Sequence, residues 1–278
     1  MTTTLRPTGP EQRGAGGVRS RSYDICVNSR PVGLLRLATD ARYGPAAGRV
    51  EQLVVDERER RRGRGAVAAL AAEEVLREWG CARVEAGIPA TAAAALRLAD
   101  GLGYRERSRN MLKELEEEPR LPSGSSARPM TDAEFPAWRE RGRPQLLRTL
   151  LDRGVPAEGA ERKADEDFRT LLPAGAATSG AVLRVLVHED SEVGTLWVDV
   201  ANSPRTDADS WVFDVEVAEE RRGHGHGRTL MLLAERESLA AGARVLGLKV
   251  YAGNAPAQRL YASLGYRSVE HHLWKPLV

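Results

Sequence analysis

A glycine-rich segment typical of anion-binding loops lies in the second half of the chain. Residues 222–227 read Arg-Gly-His-Gly-His-Gly and separate a strand pattern at Trp211–Val217 from a helical pattern at Gly227–Ala241. Glycines let the backbone approach a ligand, and the first N–H groups of a helix favour a negative charge. The segment predicts a phosphate or pyrophosphate site, although a plain tight turn would also explain the glycines.

The strand before this loop carries two acidic residues. Alternation puts Asp214 and Glu216 on one face with Val212, and the opposite face carries Trp211, Phe213, Val215 and Val217. Neighbouring carboxylates raise the pKa of one of them, which suits a general base. Acidic residues at a strand surface are also commonly just solvated, so both interpretations stand at this point.

The chain repeats itself. Three landmarks recur in one order: residues 54–65 and 215–225 at an offset of 160 (Arg62 to Arg222), Leu-Gly-Tyr at 102–104 and 264–266 at an offset of 162, and the lysines Lys113 and Lys275. Each half follows the pattern strands, helix, strand, helix, strand. Shared composition does not produce such ordered spacing, so we infer a duplication.

The duplication and a charged segment rich in Pro, Gly and Ser near its middle suggest the domain boundaries. We expect a flexible tail over 1–21, a truncated first domain over 22–118, a linker over 119–127 and a complete second domain over 128–278. Residues 128–173 leave room for a short strand and two helices, which the first half lacks.

Composition narrows the class of protein. The chain has 278 residues, 42% of them hydrophobic and 29% charged, in the range of globular proteins. Lys and Arg number 41 against 39 Asp and Glu, and this net charge of +2 argues against nucleic-acid and membrane partners. Cys26 and Cys81 cannot build a disulfide framework or a metal knuckle. We read no spanning helix and no secretory signal, and expect a cytoplasmic protein.

Two motifs together resemble those of the GNAT superfamily of N-acetyltransferases. One signature, Arg/Gln-x-x-Gly-x-Gly/Ala between the fourth strand and the third helix, is filled by Arg222, Gly225 and Gly227. The other, Asn-x-x-Ala-x-x-Leu-Tyr-x-x-Leu-Gly-Phe/Tyr, is filled from Asn254 to Tyr266. The resemblance covers about 128–278 and, more loosely, about 22–115. It implies α/β architecture with two tandem domains, each a mixed, mostly antiparallel sheet flanked by helices, with splayed fourth and fifth strands.

The resemblance also implies a chemistry, in which an amine attacks acetyl-CoA directly through a tetrahedral intermediate. Tyr261 would be the general acid, since a phenol with a pKa near ~10 is protonated at neutral pH and can donate to a leaving thiolate. Its alternative is a core tyrosine on an apolar helix stripe. The residues expected to hold the acyl-CoA are Val215, Val217, Arg222, Gly223, His224, Gly225, His226, Gly227, Arg228, Asn254 and Ala257.

The acceptor ammonium must lose a proton, and Glu216 and Asp214 are the candidate bases. Ribosomal-protein acetyltransferases of this family often carry a glutamate in the fifth strand, five residues before the Asn. Lys249 stands at that position here. Their base and their protein N-terminal substrate are therefore not transferred to this chain.

The histidines are assigned no metal. His224 and His226 lie in the loop without a nearby carboxylate or cysteine, so we expect them to fill the loop or contact phosphate. His271 and His272 are adjacent on the closing strand and face opposite ways. The side chain of one of them could face the acceptor cleft, but a structural role is the first expectation for both.

The first half departs from both motifs. At the offset of 160, Val67 stands in place of Gly227, and counting back from Leu-Gly-Tyr puts Ala99 and Ala92 in place of Tyr261 and Asn254. We therefore expect a degenerate first copy and a single tight CoA site per chain.

Three functions remain open at this point. The first is acetyl transfer catalysed by the second half, which the retained Tyr261 favours. The others are a non-catalytic acyl-CoA sensor or scaffold, and the same fold with a longer acyl-CoA or an acyl carrier protein as donor. The acceptor is open between a small amine, an antibiotic, an amino acid and a protein lysine, and so is the oligomeric state.

Overall fold

The computed structural model describes residues 2–14, 17–40 and 42–277. The chain divides into two compact units. Unit 1 comprises Met1–Arg107, Leu147–Ala160 and Glu270–Val278, and unit 2 comprises Ser108–Leu146 and Glu161–Val269.

The first half of the chain contains seven strands and two α-helices among its described residues. They are β1 (Thr3–Pro7), β2 (Gln12–Arg13), β3 (Arg19–Val27), β4 (Arg30–Asp40), β5 (Gly44–Val55), α1 (Arg64–Glu78), β6 (Arg83–Pro89), α2 (Ala93–Gly101) and β7 (Arg105–Glu114). The second half contributes β8 (Ser125–Pro129), α3 (Phe135–Asp152), α4 (Ala157–Leu171), β9 (Ala181–His188), β10 (Ser191–Asp199), β11 (Ser210–Val217), α5 (His226–Ala240), β12 (Val245–Tyr251), α6 (Ala255–Ser263) and β13 (Arg267–Pro276).

Unit 1 is a mixed sheet with α1 against one face. Its strands run in the order β1-β3-β4-β5-β6-β13, with β2 paired to β3. The pairing of β5 with β6 is parallel and the others are antiparallel. Ala68, Ala72 and Leu76 recur along one face of α1 and are fully buried against the sheet.

Unit 2 has the same plan, with helices on both faces. Its strands run β7-β12-β11-β10-β9-β8, and only β11 and β12 are parallel. The core under α5 includes Leu230, Met231 and Ala234. The opposite face holds an aromatic core, in which Trp138 lies edge-on to the rings of Phe168 and Trp197.

Each unit contains a strand that the other half of the repeat encodes. β13 pairs with β6 in unit 1, and β7 pairs with β12 in unit 2. The recurring lysines lie on these exchanged strands: Lys275 Nζ donates to Glu73 at 3.0 and 2.8 Å, and Lys113 Nζ donates to Glu235 at 2.7 Å. The exchange explains why the compact units differ from the boundaries that the repeat suggests.

The beginning of the chain differs from the expected tail over 1–21. β1 pairs with β3 from Thr3↔Val27 to Pro7↔Tyr23, and Leu5 packs against the core of unit 1. The expected short strand and two helices of 128–173 correspond to β8, α3 and α4. Residues 147–160, at the turn between these helices, belong to unit 1.

None of the helices in the described ranges has the length and apolar character needed to cross a bilayer.

Candidate active site

The two parallel strands of unit 2 separate midway along β11. Their pairing runs from Ser210↔Leu246 to Val212↔Leu248, whereas β11 continues to Val217 along β10. Main-chain groups of β11 beyond Val212 therefore border the opening between the strands. This is the splay that the family resemblance implies.

A β-bulge at Phe213 changes which residues share a face. Trp197 pairs with Asp214 but Val198 pairs with Val212, so Phe213 is the extra residue. The prediction that Val212 faces the same way as Asp214 is wrong, because Val212 packs in the core under α5 with Val215 and Val217.

The surroundings of Asp214 bring the pKa of its carboxyl group closer to neutral pH than that of an ordinary aspartate. Burial and the neighbouring charge of Glu216 raise its pKa to about 6, against a hydrogen bond from the Trp138 side chain that acts to lower it. Glu216 is more open: its side chain is 41% exposed and lies 3.8 Å from the Arg141 guanidinium. Trp138 and Arg141 both lie on α3, so this helix holds both carboxylates. Sequence patterns gave no signal for either α3 residue.

Tyr261 lies on α6 within electrostatic reach of Asp214. Burial and the Asp214 charge raise the pKa of the phenol to about 12, so it is protonated at neutral pH. Its ring packs against the core under α5, 6.1 Å from that of Tyr266. Packing in the core is therefore compatible with the position that the motif gives Tyr261.

The loop between β11 and α5 has the backbone of an anion site. Gly223 and Gly225 have φ of 83° and 87°, which disfavours L side chains, and a Cβ on either would meet no atom within 4 Å. Gly225 caps α5, whose first N–H groups have no partner within the helix. Gly227 has a packing role, since its Cβ would lie 3.4 Å from Leu260 of α6.

The loop side chains mostly hold the loop itself. His224 Nδ1 lies 2.9 Å from the Arg222 carbonyl oxygen, and Arg222 Nε donates to Val217 O at 3.4 Å. His226 is buried with its ring 5.0 Å from that of His188, and burial lowers its pKa. Arg228 donates to Ser263 Oγ at 2.6 Å. Within the described residues, no group of three or more His, Cys, Asp or Glu side chains is arranged for a metal ion.

The second motif orients α6. Asn254 caps the helix by accepting from the Ala257 N–H at 3.2 Å, and Ala257 packs against the core under α5. Asn254 is thus occupied in positioning Tyr261, seven residues further along the chain.

Unit 1 has a loop of the same construction. Gly63 caps α1 with φ of 75°, as Gly225 caps α5, and Arg60 Nε donates to Val55 O at 2.9 Å, as Arg222 does to Val217. A Cβ on Gly65 would lie 3.3 Å from Leu98, the counterpart of the contact between Gly227 and Leu260. All these pairs are 162 residues apart.

The alignment of Val67 with Gly227 at an offset of 160 is therefore wrong. Gly65 is the counterpart of Gly227, and the first half carries Arg60-x-x-Gly63-x-Gly65 in full. The signal was in the sequence, because Leu-Gly-Tyr already repeats at 162. Ala99 and Ala92 do replace Tyr261 and Asn254, so the first copy lacks the acid but not the loop.

Comparison with known proteins agrees with this architecture. The model of the acetyltransferase (GNAT) family matches residues 7–104 and 145–266. The chain belongs to this family and carries it twice, in tandem.

Individual relatives are distant. The chain is 28% identical over 121 residues to the uncharacterized N-acetyltransferase YycN of Bacillus subtilis, covering 43% of this chain and 77% of that protein. A GCN5-related N-acetyltransferase from Sphaerobacter thermophilus has a similar fold, with a TM-score of 0.59 and 21% identity, covering 92% of this chain and 80% of that one. A tandem GNAT protein from the clavulanic acid biosynthesis pathway gives a TM-score of 0.51 and 21% identity, with coverage of 96% and 85%. Family membership and fold together place the chain among the tandem members of the GNAT acetyltransferase family.

Proposed function

We propose that unit 2 transfers an acetyl group from acetyl-CoA to the amine of an acceptor. The observation that carries this proposal is the position of Asp214 on β11 just beyond its pairing with β12, with Tyr261 of α6 within electrostatic reach of that carboxyl group. Their surroundings give a carboxyl with a pKa of about 6 and a phenol with a pKa of about 12. At neutral pH the first is ready to accept a proton and the second to donate one.

The loop supports acetyl-CoA as the donor. Gly223 and Gly225 leave the backbone open to an anionic group at the N-terminus of α5, which suits the CoA pyrophosphate. The main chain of Val215–Val217 borders the splay, where the amides of the pantetheine arm would bond. Val215 and Val217 contribute their backbone, because both side chains pack in the core.

The residues divide the proton transfers between them. Asp214 accepts the proton that the acceptor ammonium must lose, and the free amine then attacks the thioester carbonyl. Main-chain N–H groups of β11 meet the developing oxyanion. Tyr261 donates its proton to the sulfur as the C–S bond breaks, and the second proton that the amide nitrogen loses passes through solvent and restores the phenol. Glu216 acts indirectly, through the pKa of Asp214.

The test is release of the CoA thiol from acetyl-CoA by the full chain, in the presence of a panel of amines. We expect acceptor-dependent release that Tyr261→Phe and Asp214→Asn each reduce. If no amine leads to release of the CoA thiol, although acetyl-CoA binds measurably, the result would favour a sensor or scaffold and contradict the proposal.

A further inference from the structure

A glycine on β6 in unit 1 leaves space that a carboxylate of β13 fills. Gly87 is the counterpart of Lys249 on β12, and Glu270 Oε1 lies 2.6 Å from the point that a Cβ on Gly87 would occupy. His272 pairs directly with Gly87, and its Nε2 lies 3.6 Å from Glu270 Oε2. The two side chains form a carboxylate–imidazole pair, in which His272 is 30% and Glu270 is 27% exposed.

This pair lies on the face of unit 1 away from α1. Leu273 packs in the core with α1, and Lys275 donates to Glu73 on that helix. Because alternate strand residues point to opposite faces, Glu270, His272 and Trp274 share the other face. His271 turns the opposite way, with Nδ1 3.0 Å from Glu106.

The pair also lies where the strands of unit 1 separate. The parallel pairing of β5 with β6 runs from Ala47↔Arg83 to Val50↔Ala86, so Gly87 is the first residue beyond it. In unit 2 the corresponding opening takes its carboxylates from β11. The β5 counterparts of Asp214 and Glu216 are Gln52 and Val54, which cannot act as bases.

We propose that unit 1 is a second acyl-transfer centre, in which the Arg60–Gly65 loop holds an acyl-CoA and His272, with the Glu270 carboxylate beside it, is the base for an amine acceptor. This inference rests on the acyl-CoA chemistry proposed for unit 2. Its base comes from the exchanged strand, which is why neither motif indicates it.

The reaction balances without a further reactant. Neutral His272 accepts one proton from the acceptor ammonium, and the nitrogen forms its bond to the thioester carbonyl carbon as the C–S bond breaks. A second proton passes from nitrogen to sulfur through solvent, giving an amide and the CoA thiol, and His272 then releases its proton. With Ala99 in place of a tyrosine acid, this centre is slower than unit 2 by up to ~10²-fold.

The neighbours of the pair select the acceptor class. On the same face, Glu85 is surrounded by three guanidinium groups: Arg83 Nε at 3.1 Å, Arg107 Nη2 at 3.7 Å, and Arg153, which donates to it. Arg107 also lies over the Trp274 ring, 4.8 Å from its centroid. Three guanidinium groups against the carboxylates of Glu85 and Glu270 leave a net positive charge on this face, which favours a small amine that carries a carboxylate or phosphate group.

The test isolates unit 1 within the full chain. Gly225→Val combined with Asp214→Asn is used to silence unit 2, and the residual release of CoA is measured with amino acids, aminoalkyl phosphates and the carboxamides of those amino acids, which lack the carboxylate charge. We expect residual transfer to an amino acid to be at least ~10-fold faster than to its carboxamide. His272→Gln should lower it at least ~10-fold, while the matched change His271→Gln leaves it within about twofold.

Residual transfer that survives His272→Gln, or no residual transfer while the wild type is active, would overturn this inference and leave the function of unit 2 intact. Equal rates with acids and amides would overturn the acceptor class. A readout independent of turnover is the imidazole NMR signal of His272 in the silenced chain. Acetyl-CoA should shift the His272 signal in the silenced chain, and should no longer shift it when Gly63→Val is added. A His272 signal that acetyl-CoA does not move would contradict the proposal even if unit 2 proved inactive.

Discussion

The interaction between Asp214 and Glu216 predicts in which direction the pH dependence of acetyl transfer moves when Glu216 is replaced. The pKa of Asp214 is raised to about 6, in part by Glu216. A base must be ionised to act, so kcat/KM should rise with pH through about 6 and level off above it. Glu216→Gln removes the neighbouring negative charge and should move this acid limb to lower pH.

The size of the movement follows from the spacing on β11. Residues two apart on a strand are about 6–7 Å apart, which gives a charge interaction of about 0.6 kcal/mol in water and about 2.5 kcal/mol at an effective dielectric constant near 20. Glu216 is 41% exposed and beside Arg141, so solvent screening puts the value toward the lower end. We expect the limb to move down by about 0.5 pH unit.

The assay is release of the CoA thiol between about pH 5 and pH 9 with one acceptor. Asp214→Asn is the companion variant and should abolish the limb while lowering kcat by roughly 10²–10⁴-fold. An acid limb that persists in Asp214→Asn, or that moves to higher pH in Glu216→Gln, would refute the assignment of Asp214 as the base.

Two further variants test other parts of the structure. Tyr261→Phe should lower kcat by up to ~10²-fold with little change in acetyl-CoA affinity; unchanged turnover would return Tyr261 to a packing role. Glu85→Gln leaves three guanidinium groups without their buried carboxylate and should destabilise the chain by about 3–5 kcal/mol in thermal or denaturant unfolding. Glu51→Gln, at the exposed ion pair with Arg36, is the matched control and should cost about 1 kcal/mol or less. Burial acts to raise the pKa of Glu85, but the arginines outweigh it and the net pKa is lowered, so this stabilisation is present above the pKa of an unfolded glutamate and is lost as pH falls through the folded value. Equal losses of stability in Glu85→Gln and Glu51→Gln would disprove the role of the buried cluster.

Much of the unit 2 site follows from local sequence. Strand alternation, the glycines at the start of α5 and the helical stripe containing Tyr261 depend on contacts between near neighbours, so their patterns survive in one sequence. The bulge at Phe213 does not show in the alternation, because it comes from the register with β10. For that reason Val212 is placed on the wrong face.

Long-range pairing is what the sequence could not supply. The repeat predicts a closing strand in each half, but nothing in β7 or β13 says which sheet it joins. Trp138 and Arg141 reach β11 from a helix more than 70 positions earlier in the chain. The loop of unit 1 was obscured for a different reason, since a run of arginines aligns almost as well at 160 as at 162.

The most direct measurement is a calorimetric titration of acetyl-CoA into the full chain and two matched variants, Gly225→Val and Gly63→Val. A branched side chain at either cap blocks backbone N–H groups and removes charge-assisted hydrogen bonds worth about 1.5–3 kcal/mol each. Loss of two such bonds lowers the affinity more than ~100-fold. We predict two sites in the wild type and one in each variant, with transfer through Tyr261 and Asp214 lost only in Gly225→Val. Full occupancy and full transfer in Gly225→Val would contradict unit 2 as the acetyl-CoA-dependent centre.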